Sequence, residues 1–170
     1  MMSDYIKRHE SIADLELWER RKQKNALVSF TLELTARCNN NCRHCYINLP
    51  ENDPQALAAE LTFDEIKGIV DQAVAMGAMW CLLTGGEPLL RPDFEAIYLY
   101  LKRQGLLVSV FTNATLINDG HVDLFRQYPP RDLEVTVYGL TRAVYGKVTR
   151  CPGLFDAFTA GLNRLLENRI

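Results

Sequence analysis

From residue 26 onward the chain repeats a short apolar strand, a loop and an amphipathic helix four times. The predicted strands cover Leu27–Thr35, Met79–Thr84, Leu107–Thr112 and Leu133–Tyr138. The predicted helices cover Phe63–Met76, Asp93–Gln104, Asp119–Gln127 and Phe155–Asn168. Alternation of this kind is typical of right-handed βαβ units, so the sequence predicts an α/β fold built on a parallel sheet.

The first and fourth predicted strands alternate apolar and polar residues, which places Glu33 and Glu134 on their polar faces. Parallel strands that are covered on both faces usually read as continuous apolar runs. A polar second face therefore favours a sheet that curls around a wet cavity, as in a partial (β/α) TIM-like barrel with about four βα units. The alternative is an antiparallel or edge strand that faces water.

The chain divides into two predicted regions. Residues 1–25 form an N-terminal helical extension, in which Ile12, Leu15 and Trp18 recur at helical spacing. Residues 26–170 form the core domain. Within it, Thr62 and Glu65 form a capping box that predicts the start of the first core helix.

Composition excludes several classes of protein. A net charge of −2 and the lack of a long basic tract give no reason to expect nucleic acid as a partner. No apolar run reaches the roughly 18 residues that a membrane-spanning helix needs, and the N-terminus is too polar for a signal peptide. We therefore expect a cytoplasmic protein, in which thiols stay reduced.

Three of the five cysteines stand in the stretch RCNNNCRHCY, directly after the first strand. They are Cys38, Cys42 and Cys45, and their close spacing in a reducing compartment argues against disulfides. Three thiolates suit a 4Fe–4S cluster with one iron left open. A zinc site with His44 as the fourth ligand and simple burial remain as alternatives. The role of Cys151 has no indication in the sequence.

Unusual residues also follow the other predicted strands, at the carboxyl ends where parallel α/β folds bind ligands. TGGEP follows the second strand, TNA the third and YG the fourth. A glycine pair lets ligand atoms approach the backbone closely, and Glu87 adds a fixed negative charge suited to an ammonium group or to holding the loop. The sequence therefore predicts one active face at these strand ends.

The C-x3-C-x2-C spacing, taken with Gly85-Gly86-Glu87-Pro88 and Thr112-Asn113-Ala114, resembles the radical S-adenosylmethionine (radical SAM) superfamily from about Phe30 to Asn168. The resemblance implies that Cys38, Cys42 and Cys45 bind three irons of a 4Fe–4S cluster, while S-adenosyl-L-methionine (SAM) chelates the fourth. It also implies a set of cofactor contacts: His44, Tyr46, Gly85, Gly86, Glu87, Asn113 and Thr136, with Tyr138 beside them. Ala114 stands where the family often has glycine.

The resemblance further implies an enzyme in which the reduced cluster cleaves SAM to a 5′-deoxyadenosyl radical that abstracts hydrogen from a substrate. A flavodoxin- or ferredoxin-like one-electron donor would be its partner. The stretch EVTVYGLTRAVYGKVTRCPGLF is similar to the peptide- and protein-modifying SPASM-type subgroup, which suggests a peptide or protein substrate. The alternative is a non-catalytic iron–sulfur and SAM-binding module, or a truncated fragment that acts with a partner.

Family barrels have six βα units, and only four are found in this sequence. The fourth strand would then leave unpaired backbone groups at a sheet edge. We therefore expect an oligomer, a partner or a missing C-terminal region.

Overall fold

The computed structural model describes residues 26–47 and 49–170, so the predicted N-terminal helix lies outside the described residues. In chain order the strands are β1 (Ser29–Thr35), β2 (Arg37–Cys38), β3 (Leu49–Pro50), β4 (Trp80–Gly85), β5 (Leu107–Thr112) and β6 (Asp132–Val135). Strands β1, β4, β5 and β6 form one parallel sheet in that order, whereas β2 pairs with β3 separately. This arrangement confirms the predicted α/β fold with a parallel sheet.

The described residues form six α-helices: α1 (Pro54–Ala58), α2 (Phe63–Ala75), α3 (Phe94–Arg103), α4 (Asp119–Gln127), α5 (Arg142–Thr149) and α6 (Phe155–Glu167). Helices α2, α3, α4 and α6 lie where the sequence predicted helices. Helices α1 and α5 were not predicted. The fourth strand also ends at Val135 rather than Tyr138, because the chain leaves the sheet after the Thr136 N–H donates to the Thr112 carbonyl.

Local signals in the sequence set the ends of the helices. Thr62 and Glu65 form the predicted capping box at the start of α2, with both reciprocal hydrogen bonds present. Gly77 follows α2 with φ 96°, a left-handed conformation that suits glycine. The Thr141 side chain accepts a hydrogen bond from the Val144 N–H and so begins α5.

The core lies between the sheet and the helices. Its fully buried members include Leu83, Ile97, Leu101, Val108 and Val110, which come from strands β4 and β5 and helix α3. Cys81 belongs to the same core, and burial raises its pKa to about 12. Within residues 26–47 and 49–170, no helix combines the length and apolar character needed to cross a membrane.

The predicted two-faced strands are present. In β1, Leu32 and Leu34 are buried while Glu33 is exposed, and in β6 Glu134 is exposed between two half-buried apolar residues. Because paired residues of parallel strands lie on the same face, the register places Glu33 beside Thr84 and Glu134 beside Phe111. The polar face of the sheet thus leads into the site described next.

Candidate functional site

A cavity of about 210 Å³ opens at the carboxyl ends of the main-sheet strands. All three clustered cysteines line it, together with six of the seven predicted cofactor contacts. These are Cys38, Cys42 and Cys45 with His44, Tyr46, Gly85, Gly86, Asn113 and Thr136. The remaining residues that line the cavity are Thr84, Phe111, Thr112, Tyr138 and Asn40. The sequence analysis did not single out Asn40.

The glycine pair packs directly onto the backbone that leads into the cysteine loop. The Gly86 N–H donates to the Thr35 carbonyl at 2.8 Å. A β-carbon on Gly85, whose φ is +126°, would lie 2.3 Å from the Thr35 oxygen, and one on Gly86 would lie 2.2 Å from the Arg37 oxygen. Both positions therefore require glycine so that two backbone segments can meet, and this contact leaves the glycines at the cavity wall.

Glu87 is the one predicted cofactor contact that does not line the cavity. Its side chain is fully buried, and its carboxylate accepts hydrogen bonds from the Leu89 and Asn113 N–H groups and from the Thr112 hydroxyl at 2.8–3.1 Å. Burial raises its pKa to about 7, although these three donors oppose that rise. Glu87 therefore ties the end of β4 to the end of β5, which agrees with the role of holding the loop, and its contact with a ligand amino group stays a prediction.

Helix α5 holds the other side of the cysteine loop. The Asn41 N–H donates to the Thr149 carbonyl and the Arg43 N–H donates to the Val148 carbonyl, each at 3.0 Å. These are among the last carbonyls of the helix, which have no partner within it. The cysteine loop thus completes the hydrogen bonding of α5, and α5 in turn fixes the loop.

The cysteine thiols lie in surroundings that disfavour a free thiolate. Burial raises the pKa of Cys38 to about 11, although the Asn40 N–H donates to its sulfur at 3.4 Å. Burial also raises the pKa of Cys42, against a hydrogen bond from the Tyr138 hydroxyl. Because metal ligation requires the thiolate, a positively charged iron centre would supply the compensation that these sites need.

Asn113 connects β5 to the cysteine loop. Its amide nitrogen donates to the Asn39 side chain at 2.9 Å and lies 3.7 Å from the Cys38 sulfur. Its amide oxygen accepts from the Thr115 hydroxyl at 2.6 Å. The next residue, Ala114, has φ 62°, a left-handed conformation that glycine adopts more readily, and this explains how glycine can occupy the same position in the family.

An aromatic wall stands on the β6 side of the cavity. The His44 and Tyr138 rings lie 5.6 Å apart between centroids, in a tilted arrangement. Tyr46 is 82% exposed, and its hydroxyl donates to the Glu33 carboxylate at 2.7 Å. The wall thus presents flat aromatic surfaces and one exposed acidic group to the opening.

Three cysteine thiols at one cavity suit a 4Fe–4S cluster with one iron left open. No group of three or more histidine, cysteine, aspartate or glutamate side chains in the described part of the chain is placed to hold one metal ion. The buried Asn40 amide nitrogen also has no hydrogen-bond partner among the described residues, and Asn40 lines the same cavity. A sulfur-rich group bound there would give it an acceptor.

Sequence reasoning did not identify three residues that shape the site, namely Asn40, Tyr145 and Thr149. Each is a buried polar side chain, and the sequence gives no period or motif that marks such a burial. Only the position of Asn40 between two of the clustered cysteines was an available signal. Cys151 lines a neighbouring groove together with Cys38 and carries a free thiol.

Comparison with known proteins agrees with this geometry. Residues 32–170 match the family described as the Radical SAM superfamily. The chain is 37% identical over 141 residues to the AdoMet-dependent heme synthase of Methanosarcina barkeri (strain Fusaro / DSM 804). That match covers 83% of this chain and 40% of the heme synthase. It is 35% identical over 98 residues to the antilisterial bacteriocin subtilosin biosynthesis protein AlbA of Bacillus subtilis (strain 168). That match covers 58% of this chain and 21% of AlbA.

The fold is also found among solved structures. Native anSMEcpe with bound AdoMet and Cp18Cys peptide superposes with a TM-score of 0.65 at 15% identity, over 84% of this chain and 41% of that one. This likeness supports the partial barrel architecture. The chain spans about two fifths of the length of its heme synthase relative.

Proposed function

The chain belongs to the radical SAM superfamily, whose members use a 4Fe–4S cluster and SAM, and we propose that its strand-end cavity holds both cofactors for the reductive cleavage of SAM. The observation that carries the proposal is the meeting of three cysteines and two backbone-exposing glycines in one cavity. When bound, the cluster supplies the electron that breaks a carbon–sulfur bond of SAM and gives a hydrogen-abstracting 5′-deoxyadenosyl radical.

The chain's own residues would bind, orient and shield the reactants. Cys38, Cys42 and Cys45 would hold three irons, since they are the cysteines that line the cavity. The backbone at Gly85 and Gly86 would bind the polar end of SAM, because both residues line the cavity beside the cysteines.

Three side-chain contacts complete the proposed cofactor site. His44, whose ring lies beside that of Tyr138 in a tilted arrangement, offers a flat surface for the adenine ring. Thr136 and Asn113 line the same wall, and their polar groups suit the ribose and carboxylate of SAM.

We propose a peptide as the substrate class, which agrees with the biosynthesis of a bacteriocin by the AlbA relative. Glu33 and Glu134 support this choice. Both are exposed on the face of the sheet that leads to the cavity, where they would attract a cationic peptide. A porphyrin-type substrate is the second candidate, because the relative with 37% identity is a heme synthase. The carboxylate groups of a porphyrin would be repelled by the same two glutamates.

The test of the proposed activity is anaerobic. The chain is reconstituted with iron and sulfide, reduced with dithionite and incubated with SAM, and 5′-deoxyadenosine is quantified. We expect product from the wild type and none from Cys38→Ala/Cys42→Ala/Cys45→Ala. The Cys151→Ala variant is the matched control, because it removes one thiol and leaves the three proposed ligands.

The outcomes separate the classes of protein. Cysteine-dependent 5′-deoxyadenosine supports a catalytic radical SAM core. A cluster whose electron paramagnetic resonance (EPR) spectrum responds to SAM without cleavage would support a binding module and overturn the proposed activity. Stoichiometric zinc without a cluster would overturn the cofactor assignment itself.

A further inference from the structure

Asn40 is a buried polar residue with one half of its amide unused. Asn40 lies between Cys38 and Cys42 in the sequence, and the residue is 5% exposed. The amide nitrogen has no hydrogen-bond partner among the described residues, although it carries two N–H donors. An unsatisfied buried donor destabilises a folded chain, so a chain that keeps one usually has an acceptor for it in the functional state.

The other half of the amide is fixed from behind. The Tyr145 hydroxyl donates to the Asn40 amide oxygen at 3.2 Å. Tyr145 is itself fully buried on α5, where its ring stacks on Phe158 with centroids 5.3 Å apart. Because a rigid donor holds the oxygen, the amide nitrogen is directed away from α5.

Asn40 lines two openings, namely the cavity of the clustered cysteines and the neighbouring groove that Cys38 and Cys151 also line. Asn40 lines the same cavity as all three clustered cysteines, and its backbone N–H already donates to the Cys38 sulfur. An amide nitrogen here would meet a sulfur atom of a cluster held by those cysteines.

We propose that the Asn40 side-chain amide donates a hydrogen bond to a sulfur of the bound 4Fe–4S cluster and thereby raises the cluster's reduction potential. This inference rests on the proposed cluster binding. The reduced cluster carries one more negative charge than the oxidised cluster, so a donor to its sulfur stabilises the reduced state more strongly. Asn40 thus makes reduction of the cluster by its electron donor easier, while it lowers the driving force for electron transfer from the reduced cluster to SAM.

The test compares the wild type with a double variant that lacks the donor, and Tyr145→Phe alone isolates the effect of the anchoring hydroxyl. Tyr145→Phe removes the anchoring hydroxyl and keeps the amide. Asn40→Leu/Tyr145→Phe removes the amide as well and replaces both partners with apolar groups, so no buried polar group is left unpaired. The midpoint potential is measured by poising each reconstituted protein at defined potentials and recording the EPR signal of the reduced cluster.

We expect the double variant to bind the same amount of iron and sulfide as the wild type but to have a lower reduction potential. A tenfold change in the reduction equilibrium corresponds to about 59 mV for one electron, and a shift of that order is the expected result. Asn41→Asp measures how far a change of charge in this loop shifts the reduction potential by itself, because Asn41 lies in the same loop and is exposed.

The possible results are distinct. Equal potentials in the wild type and the double variant, with clusters fully assembled, would overturn the role of Asn40 and leave the cluster proposal standing. Failure of the wild-type chain to assemble any cluster would overturn the proposed function on which this inference depends. Apoprotein melting curves show whether either variant has lost its fold.

Discussion

The carbonyl oxygen of Arg37 lies only 2.2 Å from the point where a β-carbon on Gly86 would stand. The neighbouring Glu87 N–H donates to the same oxygen at 2.9 Å. The glycine loop and the cysteine loop are therefore one structural unit, and a change in either should affect the other.

Substitution of Gly86 by alanine should separate these two loops. A backbone oxygen cannot move aside as a side chain can, so we expect Gly86→Ala to lose about 3 kcal/mol of unfolding free energy and to bind less iron. Urea unfolding of the apoprotein and iron analysis after reconstitution would measure both effects. Gly68→Ala is the control, since nothing lies within 4 Å of its β-carbon and alanine is the better helix former. A Gly86→Ala variant as stable as wild type would contradict the close approach.

Glu87 should make the apoprotein less stable as the pH rises. Its pKa is about 7 in the folded chain, against an ordinary value of 4.5, because burial disfavours the carboxylate. Between these pH values the folded chain holds a proton that the unfolded chain has lost, so unfolding free energy falls as pH increases. At about 1.4 kcal/mol per pKa unit, the loss is on the order of 3 kcal/mol between pH 4.5 and pH 7.

The measurement for Glu87 is urea unfolding of the apoprotein from pH 4.5 to pH 8. Glu87→Gln removes the ionisable group, so the decline should be smaller in that variant. Identical pH profiles for wild type and variant would show that Glu87 ionises normally in the folded chain.

Helix α5 shows where sequence patterns fail to predict this fold. Only Tyr145 and Thr149 of its eight residues are fully buried, so it lacks the long apolar stripe that identified α2 and α6. Its one local signal is the Thr141 cap. The main strands and their order of appearance were predicted because each carries a short apolar run that repeats with the helices.

Only part of the candidate site was predicted from the sequence. The three cysteines and the glycine pair were identified from their spacing, since covalent spacing along a loop is visible in a sequence. The orientation of Glu87 and the burial of Asn40 depend on contacts with β5 and α5. Such contacts between distant segments have no local pattern, and for that reason the carboxylate of Glu87 was expected in the cavity.

The contribution of Glu60 to the unfolding free energy should depend on pH in the opposite sense to that of Glu87. Burial by itself would raise the pKa of Glu60, but hydrogen bonds from Arg37 and Thr35 and the nearby Arg91 guanidinium hold it below its ordinary range. The Arg37 Nε lies 2.7 Å from the Glu60 carboxylate, and both side chains are nearly buried. The stabilisation is therefore present above the unfolded-state pKa and is lost as the pH falls through the folded-state pKa.

We expect Glu60→Gln to cost about 3 kcal/mol at neutral pH, because it leaves a buried guanidinium without its partner. The difference from wild type should shrink in acid, because the unfolded chain takes up a proton at Glu60 first and the folded carboxylate loses its charge as the pH falls through its lowered pKa. Chemical unfolding at pH 7 and pH 3.5 would measure it. Asp64→Asn is the control, since its ion pair with Lys67 is exposed and contributes little. A Glu60→Gln penalty that is equal at both pH values would contradict the ionic origin of the effect.

Thr149 should couple the stability of α5 to cluster assembly. Its hydroxyl donates to the Tyr145 carbonyl at 2.9 Å and accepts from the Cys151 N–H at 3.1 Å, while its own carbonyl receives the Asn41 N–H of the cysteine loop. Thr149→Val keeps the shape and removes the hydroxyl, which should cost about 1–2 kcal/mol. Because the last turn of α5 holds the loop, we also expect fewer irons per chain after reconstitution.

The matched variant is Thr159→Val on α6, where the Thr159 hydroxyl makes the same kind of bond to the Phe155 carbonyl, at 2.8 Å. Among the described residues, Thr159 makes no hydrogen bond to the cysteine loop. Melting temperature and iron content measured on both variants separate the two effects. If α5 positions the loop, only Thr149→Val lowers the iron content, whereas equal iron losses in both variants would mean that cluster assembly follows overall stability and not the register of this one helix end.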